Sequence, residues 1–334
     1  MKDYYSKKDF INSPKYDAHI HYHTFDDLFV HKAKNNNLQL LSVNTNFDYM
    51  SIDEQFEISQ SVFKRHPQTF NFLCCFDAKA FASKTFADDT IKHIKKCIAA
   101  GARGIKIWKN IGMALKTDAG QYVMADDPVF APIFAFIEKE KIPLLIHLGD
   151  PRKYWLSFER KYQNPSYEQH IEVRDRILEN YPDLVLIGAH LGCMEWSLEE
   201  VAKRLDSFPN FFIDISARLE YIHELTIRNR SQVFDFFETY QKRILYGSDF
   251  FVTQNYKWEW MILFYKCFPQ VYMNLLFWWL FGKLKKHWLF LATDEVIKTK
   301  IMKSPKHVQG LKLSKIIVDN LFYKNACRVY LKAN

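Results

Sequence analysis

The sequence predicts an α/β protein: a (β/α)8 TIM barrel with an aromatic-rich insertion after strand 8 and a C-terminal helix. Three observations carry this reading. Eight short apolar runs recur along the chain, stretches with apolar residues at helical spacing fill the gaps, and glycine or proline marks many of the junctions. Alternating strands and helices build a parallel sheet with helices outside, and eight such units are what a barrel needs. A length of 334 residues suits one barrel with additions. Residues 1–334 are therefore read as one domain, with core strands in 15–249, an insertion or lid in 250–313 and a C-terminal helix in 314–334. An open doubly wound sheet is the alternative, but no glycine-rich phosphate loop follows the first strand.

The strand candidates are Lys15–Ile20, Leu38–Asn44, Thr69–Phe76, Arg103–Lys109, Pro143–Leu148, Leu184–His190, Phe211–Ser216 and Arg243–Asp249. Helical spacing marks Ala87–Ala100, where Ile91, Ile94, Lys95 and Ile98 form a stripe, then Val129–Lys141, Tyr167–Tyr181, Trp196–Phe208 and Asn229–Lys242. Asp127–Pro128 reads as a cap followed by a first-turn proline. At the end, Ser314–Leu331 reads as a helix with Ile317, Leu321 and Ala326 inward.

Composition narrows the function classes. Hydrophobic residues at 48% and charged residues at 25% describe a well-cored globular chain, not a disordered or collagen-like one. The net charge of +8 is uneven: residues 257–334 hold fourteen Lys/Arg against Glu259, Asp294, Glu295 and Asp319, which leaves the remainder slightly acidic. That distribution argues against a nucleic-acid partner. The six cysteines form no CxxC pair and read as buried small hydrophobes in a reducing compartment. MKDYYSKKDF lacks the apolar core of a signal peptide, and the most apolar stretch, Cys267–Gly282, is interrupted by Pro269, Gln270 and Asn274. The expected location is cytoplasmic.

Chemistry concentrates where barrel enzymes place it, at the C-terminal ends of strands. Strand 1 ends in DAHIH, and alternation sends His19 and His21 to one side, about 7 Å apart along the backbone, where two imidazoles can share a cation. Strand 5 ends in His147, strand 6 in His190 and strand 8 in Asp249. Any one of these alone is more often a packed or capping residue. Their conjunction at one end of successive strands points instead to a divalent metal held by imidazoles and a carboxylate, with an open position for water. His23, just beyond the first pair, is expected to line the mouth.

The motifs DAHIH, GIKIWK, PLLIHLGDP, IGAHLG, IDISAR and ILYGSD, in that order, resemble the amidohydrolase superfamily. More narrowly, the chain resembles the amidohydrolase 2 group of metal-dependent barrels, which includes hydrolases and non-oxidative decarboxylases. The likeness runs from about Lys15 to Asp249 and returns weakly at LFYKNA, residues 321–326. It implies that His19, His21, His147 and Asp249 ligate one divalent ion, Zn2+ or alternatively Mn2+. It also implies that His190 is catalytic rather than a principal ligand. In two-metal relatives a carboxylated lysine bridges the ions; Lys106 is the matching residue, though an inward lysine donating hydrogen bonds to substrate or to a ligand carboxylate is the preferred reading.

A divalent ion brings the pKa of bound water to roughly 7, and Asp249 and His190 then serve as proton acceptor and donor. Arg152 and Arg218 follow strands 5 and 7 and are candidates for clamping a substrate carboxylate, with an Arg218–Glu220 structural pair as the alternative. The expected partner is a small-molecule substrate, and a homo-oligomer is compatible with the sequence. A hydrolase acting on a C–O or C–N bond is the leading reading, and a metal-dependent decarboxylase of an aromatic or unsaturated carboxylic acid is the alternative. A third reading is an inactive barrel that binds a membrane surface or partner through Phe268–Phe290, where LLFWWLF precedes GKLKKHW. A packed helix, lid or dimer contact is preferred for that segment.

Overall fold

The computed structural model describes residues 3–46, 50–156, 165–253, 259–301 and 304–331. Its parallel strands are β1 (Lys15–His23), β2 (Leu38–Val43), β3 (Phe70–Cys75), β4 (Ile105–Ile107), β5 (Leu144–Ile146), β6 (Leu186–Gly188), β7 (Phe211–Asp214), β8 (Ile244–Leu245) and β9 (Phe250–Thr253). Helices alternate with them along the chain, and the fold class is α/β of the TIM-barrel type. Two compact units divide the chain: Met1–Val43, Glu57–Phe72 and Ile215–Arg328 form the first, and Asn44–Phe56, Leu73–Asp214 and Val329–Asn334 the second.

In the first unit β1 is flanked by β2 and β9, both parallel to it. All nine of its residues are buried, as expected for a strand covered on both faces. Its start is pinned by Lys15, whose buried ammonium donates to the carbonyls of Phe10 at 2.7 Å and Ser13 at 2.5 Å. The predicted eighth strand is shorter than the sequence suggests. Pairing stops after Leu245, and Asp249 adopts a left-handed φ of 62° before the chain resumes as β9. A left-handed residue cannot continue a strand, so the break falls at Asp249, the aspartate singled out in the sequence.

The insertion is mainly one continuous helix, Pro269–Ala292, opened by a proline in its first turn. Its Phe281 ring lies 5.0 Å from that of Phe10, and its Phe277 ring 5.1 Å from that of Phe29. Phe277, Leu280 and Leu284 line a small gap with Asp17 and Ile20 of β1 and with Leu38 and Leu40 of β2, so this helix packs beside the first two strands. An antiparallel hairpin, β10 (Val296–Ile301) with β11 (Ser304–Gln309), follows and was not foreseen. It lacks the Asn-Gly type of signal that makes hairpins legible. The terminal helix runs through Lys315–Asp319, a π segment at Asn320–Lys324 and Asn325–Tyr330, with Ile317, Leu321 and Ala326 buried as predicted.

In the second unit the end of β3 and strands β4 to β7 pair in chain order, all parallel. Its helices start where side chains satisfy their first amides. Ser166 and Gln169 form a capping box before Tyr167–Asn180, and Ser197 accepts from the Glu200 amide before Leu198–Ser207. In Phe86–Ala99 the inward side is Phe86, Thr90, Ile94 and Cys97, while Ile91 and Ile98 lie at its margins. The buried stripe is thus rotated from the predicted one toward Phe86, Thr90 and Cys97, and Lys95 is exposed. Among the described residues no helix is long and apolar enough to cross a membrane.

Candidate metal centre

The first unit gathers His19, His21 and Asp249. The two histidines lie on the same side of β1, with ring centroids 5.4 Å apart. Asp249 reaches them because its own amide donates to the His19 carbonyl at 2.7 Å, which locks the left-handed turn beside β1. Its Oδ1 stands 3.1 Å from His21 Nε2 and 3.6 Å from His19 Nε2. One potential ligand atom from each residue falls within 4.8 Å of the others.

The surroundings fix which nitrogen faces this point. His21 Nδ1 is 2.8 Å from the Val43 carbonyl, and His19 Nδ1 is 3.1 Å from Ser216 Oγ. With both Nδ1 atoms engaged, both Nε2 atoms are left toward Asp249. Holding the outer nitrogen by a carbonyl or hydroxyl is how proteins orient metal-ligating histidines. Two imidazoles and a carboxylate also make a chemically suitable donor set for a borderline divalent cation. The residues therefore fit a metal ion.

A buried carboxylate supports the strand beneath. Asp17 accepts from Ser248 Oγ at 2.5 Å and from the Ser248 amide at 2.9 Å. Burial pushes its pKa up to about 6, partly offset by these hydrogen bonds. Gly247 is required alongside: a Cβ there would lie 2.7 Å from the His19 Cβ and 3.1 Å from that of Ser216. Sequence reasoning did not single out Ser216, Ser248 or Gly247. Their signal was present in the motifs IDISAR and YGSD, where small residues surround the acid.

The second unit holds the other two predicted histidines. His147 directly follows β5, its amide bonded to the Ile107 carbonyl at 3.0 Å, and its ring meets that of His190 edge-on at 4.4 Å between centroids. His190 follows β6 with φ of 61°, and its amide donates to Asp214 Oδ1 at 2.9 Å. A left-handed histidine followed by left-handed Leu191 is strained backbone held by its surroundings, a condition common at functional sites.

The family comparison decides the class of the chain. A model of the amidohydrolase family matches residues 78–331. The chain belongs to the amidohydrolase family. Enzymes of this amidohydrolase family are metal-dependent and include hydrolases and decarboxylases, which agrees with the donor set on β1 and Asp249. Solved structures share the fold. A 2,6-dihydroxybenzoate decarboxylase from Rhizobium is 13% identical with a TM-score of 0.56, covering 96% of this chain and 99% of its own. A Pseudomonas putida protein named as a candidate 2-pyrone-4,6-dicarboxylic acid hydrolase is 13% identical with a TM-score of 0.52, covering 96% and 98%. A candidate amidohydrolase from Staphylococcus aureus is 15% identical with a TM-score of 0.50, covering 95% and 99%. At such identities the likeness shows the fold. No curated protein sequence matches the chain.

Within this amidohydrolase the remaining predicted residues are buried or half-buried. Lys106 is buried in β4. The Arg152 amide donates to Glu195 Oε1 at 3.1 Å, and its guanidinium stacks 4.4 Å from the Trp196 ring centroid. Arg218 is buried before the helix Leu219–Arg228 and donates to the Ala217 carbonyl at 3.0 Å. His23 is buried at the end of β1, its ring 5.9 Å from that of His21. A further pair escaped the sequence reading: Lys109 Nζ meets Asp150 Oδ1 at 2.5 Å.

Proposed function

We propose that this amidohydrolase is a metal-dependent hydrolase that opens a C–O or C–N bond in a small molecule, with zinc as the resident ion and manganese as the alternative. The observation that carries the reading is the His19–His21–Asp249 group, with both outer imidazole nitrogens engaged. When bound, a divalent ion supplies Lewis acidity and a water acidic enough to ionise near neutrality. His19, His21 and Asp249 would hold the ion, with His147 as a further ligand, and Asp249 would accept a proton at its carboxylate as water adds to the substrate carbonyl. His190 donates a hydrogen bond to the substrate oxygen and a proton to the leaving group. These two roles rest on strand-end position in the sequence and on the family resemblance. Lys106, Arg152 and Arg218 orient the substrate, with the two arginines suited to a planar carboxylate.

The test is a screen of the zinc- and manganese-reconstituted protein with lactones and hydroxybenzoates. Ring-opened acids from lactones support the proposal. Carbon dioxide release from hydroxybenzoates without lactone turnover replaces it with the decarboxylase reading, to which the same ligands are equally suited.

A further inference from the structure

The first unit contains a second concavity, distinct in its lining from the His19–His21–Asp249 group. It has a volume of about 730 Å³ and lies among the helix Leu219–Arg228, the helix Pro269–Ala292, the β10 strand and the residues on either side of Asp249. Ser248 and Phe250 line it, while none of the three metal-centre residues does. Its charged lining is Lys283, Lys286 and Lys298 against the single carboxylate of Glu220. Two histidines, His223 and His287, complete the polar part, and Leu219, Phe250 and Ile297 supply apolar wall.

Two independent features point to a ligand. The first is electrostatic. Lys283 holds its ammonium 3.6 Å from the Trp279 ring centroid and 5.5 Å from that of Phe250. Burial lowers its pKa, Lys286 lowers it further and Glu220 works the other way. Three ammonium groups against one carboxylate give the lining an excess of positive charge, which attracts an anion. The second feature is a buried polar atom. His223 is 5% exposed, its Nδ1 lies 2.8 Å from Thr299 Oγ1, and its Nε2 is buried with no hydrogen-bond partner among the described residues. Burial holds His223 neutral, at about 4. If the Thr299 hydroxyl donates to Nδ1, the Nε2 atom carries the hydrogen and is left to donate. A buried donor with no acceptor is uncommon in native proteins and calls for a partner.

We propose that this cavity binds the oxyanion group, phosphate or carboxylate, of a small organic molecule, held by Lys283, Lys286 and the Nε2–H of His223. The volume suits a small molecule and the apolar wall suits its organic body. His287 stands beside the site as a neutral residue: its Nδ1 is 2.9 Å from the Tyr246 hydroxyl, and burial, reinforced by His223 and the two lysines, takes it down to about 3. Glu220 and Lys298 add one charge of each sign to the lining. The proposal stands apart from the catalytic reading, because none of its residues is assigned to the metal.

Calorimetric titration of the full chain with inorganic phosphate, and separately with benzoate, tests it. The titrations are repeated in Asp249→Asn, which separates a carboxylate bound at the metal centre from one bound here. Saturable binding of either probe is expected in both proteins, and the tighter probe identifies the oxyanion. Lys286→Ala should weaken that binding by about tenfold or more. Lys285→Ala removes the same charge from an exposed neighbour outside the lining and should leave binding unchanged. The His223 ring resonances should shift on saturation, a readout that needs no variant to fold. Absence of binding by both probes, equal weakening by Lys285→Ala and Lys286→Ala, or an unmoved His223 signal overturns the proposal.

Discussion

Asp249 Oδ1 lies 3.1 Å from His21 Nε2, while the Asp249 amide donates to the His19 carbonyl at 2.7 Å. One residue thus closes the backbone turn after β8 and presents a carboxylate to both histidines of β1. It does so at a φ of 62°, where a residue with a side chain carries strain of order 1–3 kcal/mol. Asp249→Gly relieves that strain and Asp249→Asn preserves it. With all proteins metal-free, the glycine variant should unfold at equal or higher denaturant than the native chain, and after metal loading both variants should retain little metal. Urea melts paired with metal analysis check this, and a glycine variant that is much less stable would remove the strain argument.

Gly247 has no room for a side chain beside His19. Gly247→Ala places a Cβ 2.7 Å from the His19 Cβ, so β1 or the turn must shift by several tenths of an ångström. The expected result is a folded protein whose zinc affinity, measured by competition with a chelating dye, falls at least about tenfold as ligand geometry is lost. Unchanged affinity would mean that the site tolerates displacement of His19.

Ser216 orients His19 without being a candidate ligand. Ser216→Ala leaves His19 Nδ1 without its 3.1 Å partner. Loss of such an outer contact lowers metal affinity by about 10–100-fold, with little effect on stability near a small buried hydroxyl. The same dye competition reads it, and an affinity equal to the native one would show that the ring is held by packing alone.

Buried histidines make the fold acid-sensitive. Burial holds His170 and His223 at about 4 and His287 at about 3, all below their ordinary 6.5. Between those values the unfolded chain binds protons that the folded chain refuses. Their contribution to stability is therefore complete above 6.5 and declines as pH falls toward 4. Each group gives a slope of about 1.4 kcal/mol per pH unit. Asp17, raised to about 6, acts in the opposite sense and offsets one of the three below that pH. The urea midpoint should be clearly lower at pH 5 than at pH 7.5. A midpoint that stays level would show that these histidines are hydrated in the folded protein.

The parallel strands were legible because each is short and apolar, and several end at or beside a histidine or aspartate. DAHIH shows this best, since its alternation alone placed His19 and His21 together. Asp249 was found by motif, but the sequence made it the end of a strand, while the chain turns left-handed there and starts β9. Backbone sign is invisible in a residue string unless glycine or asparagine marks it. Tertiary support was the least legible part. Ser216 and Val43 act through single contacts across strands far apart in sequence, and neither residue type announces such a role. The insertion was recognised by its aromatics, yet its hairpin and its lysine-lined concavity depend on the packing of Pro269–Ala292 against β10, which has no local signature.

The central claim is that His19, His21 and Asp249 hold a divalent ion. Elemental analysis of the native chain, His19→Ala, His21→Ala and His190→Ala after identical zinc loading and desalting tests it most directly. The account predicts about one ion per chain in the native protein and in His190→Ala, and almost none in the other two. Loss of one of two ions in His190→Ala would establish a two-metal centre with Lys106. Full retention of zinc by His19→Ala and His21→Ala would contradict the account outright.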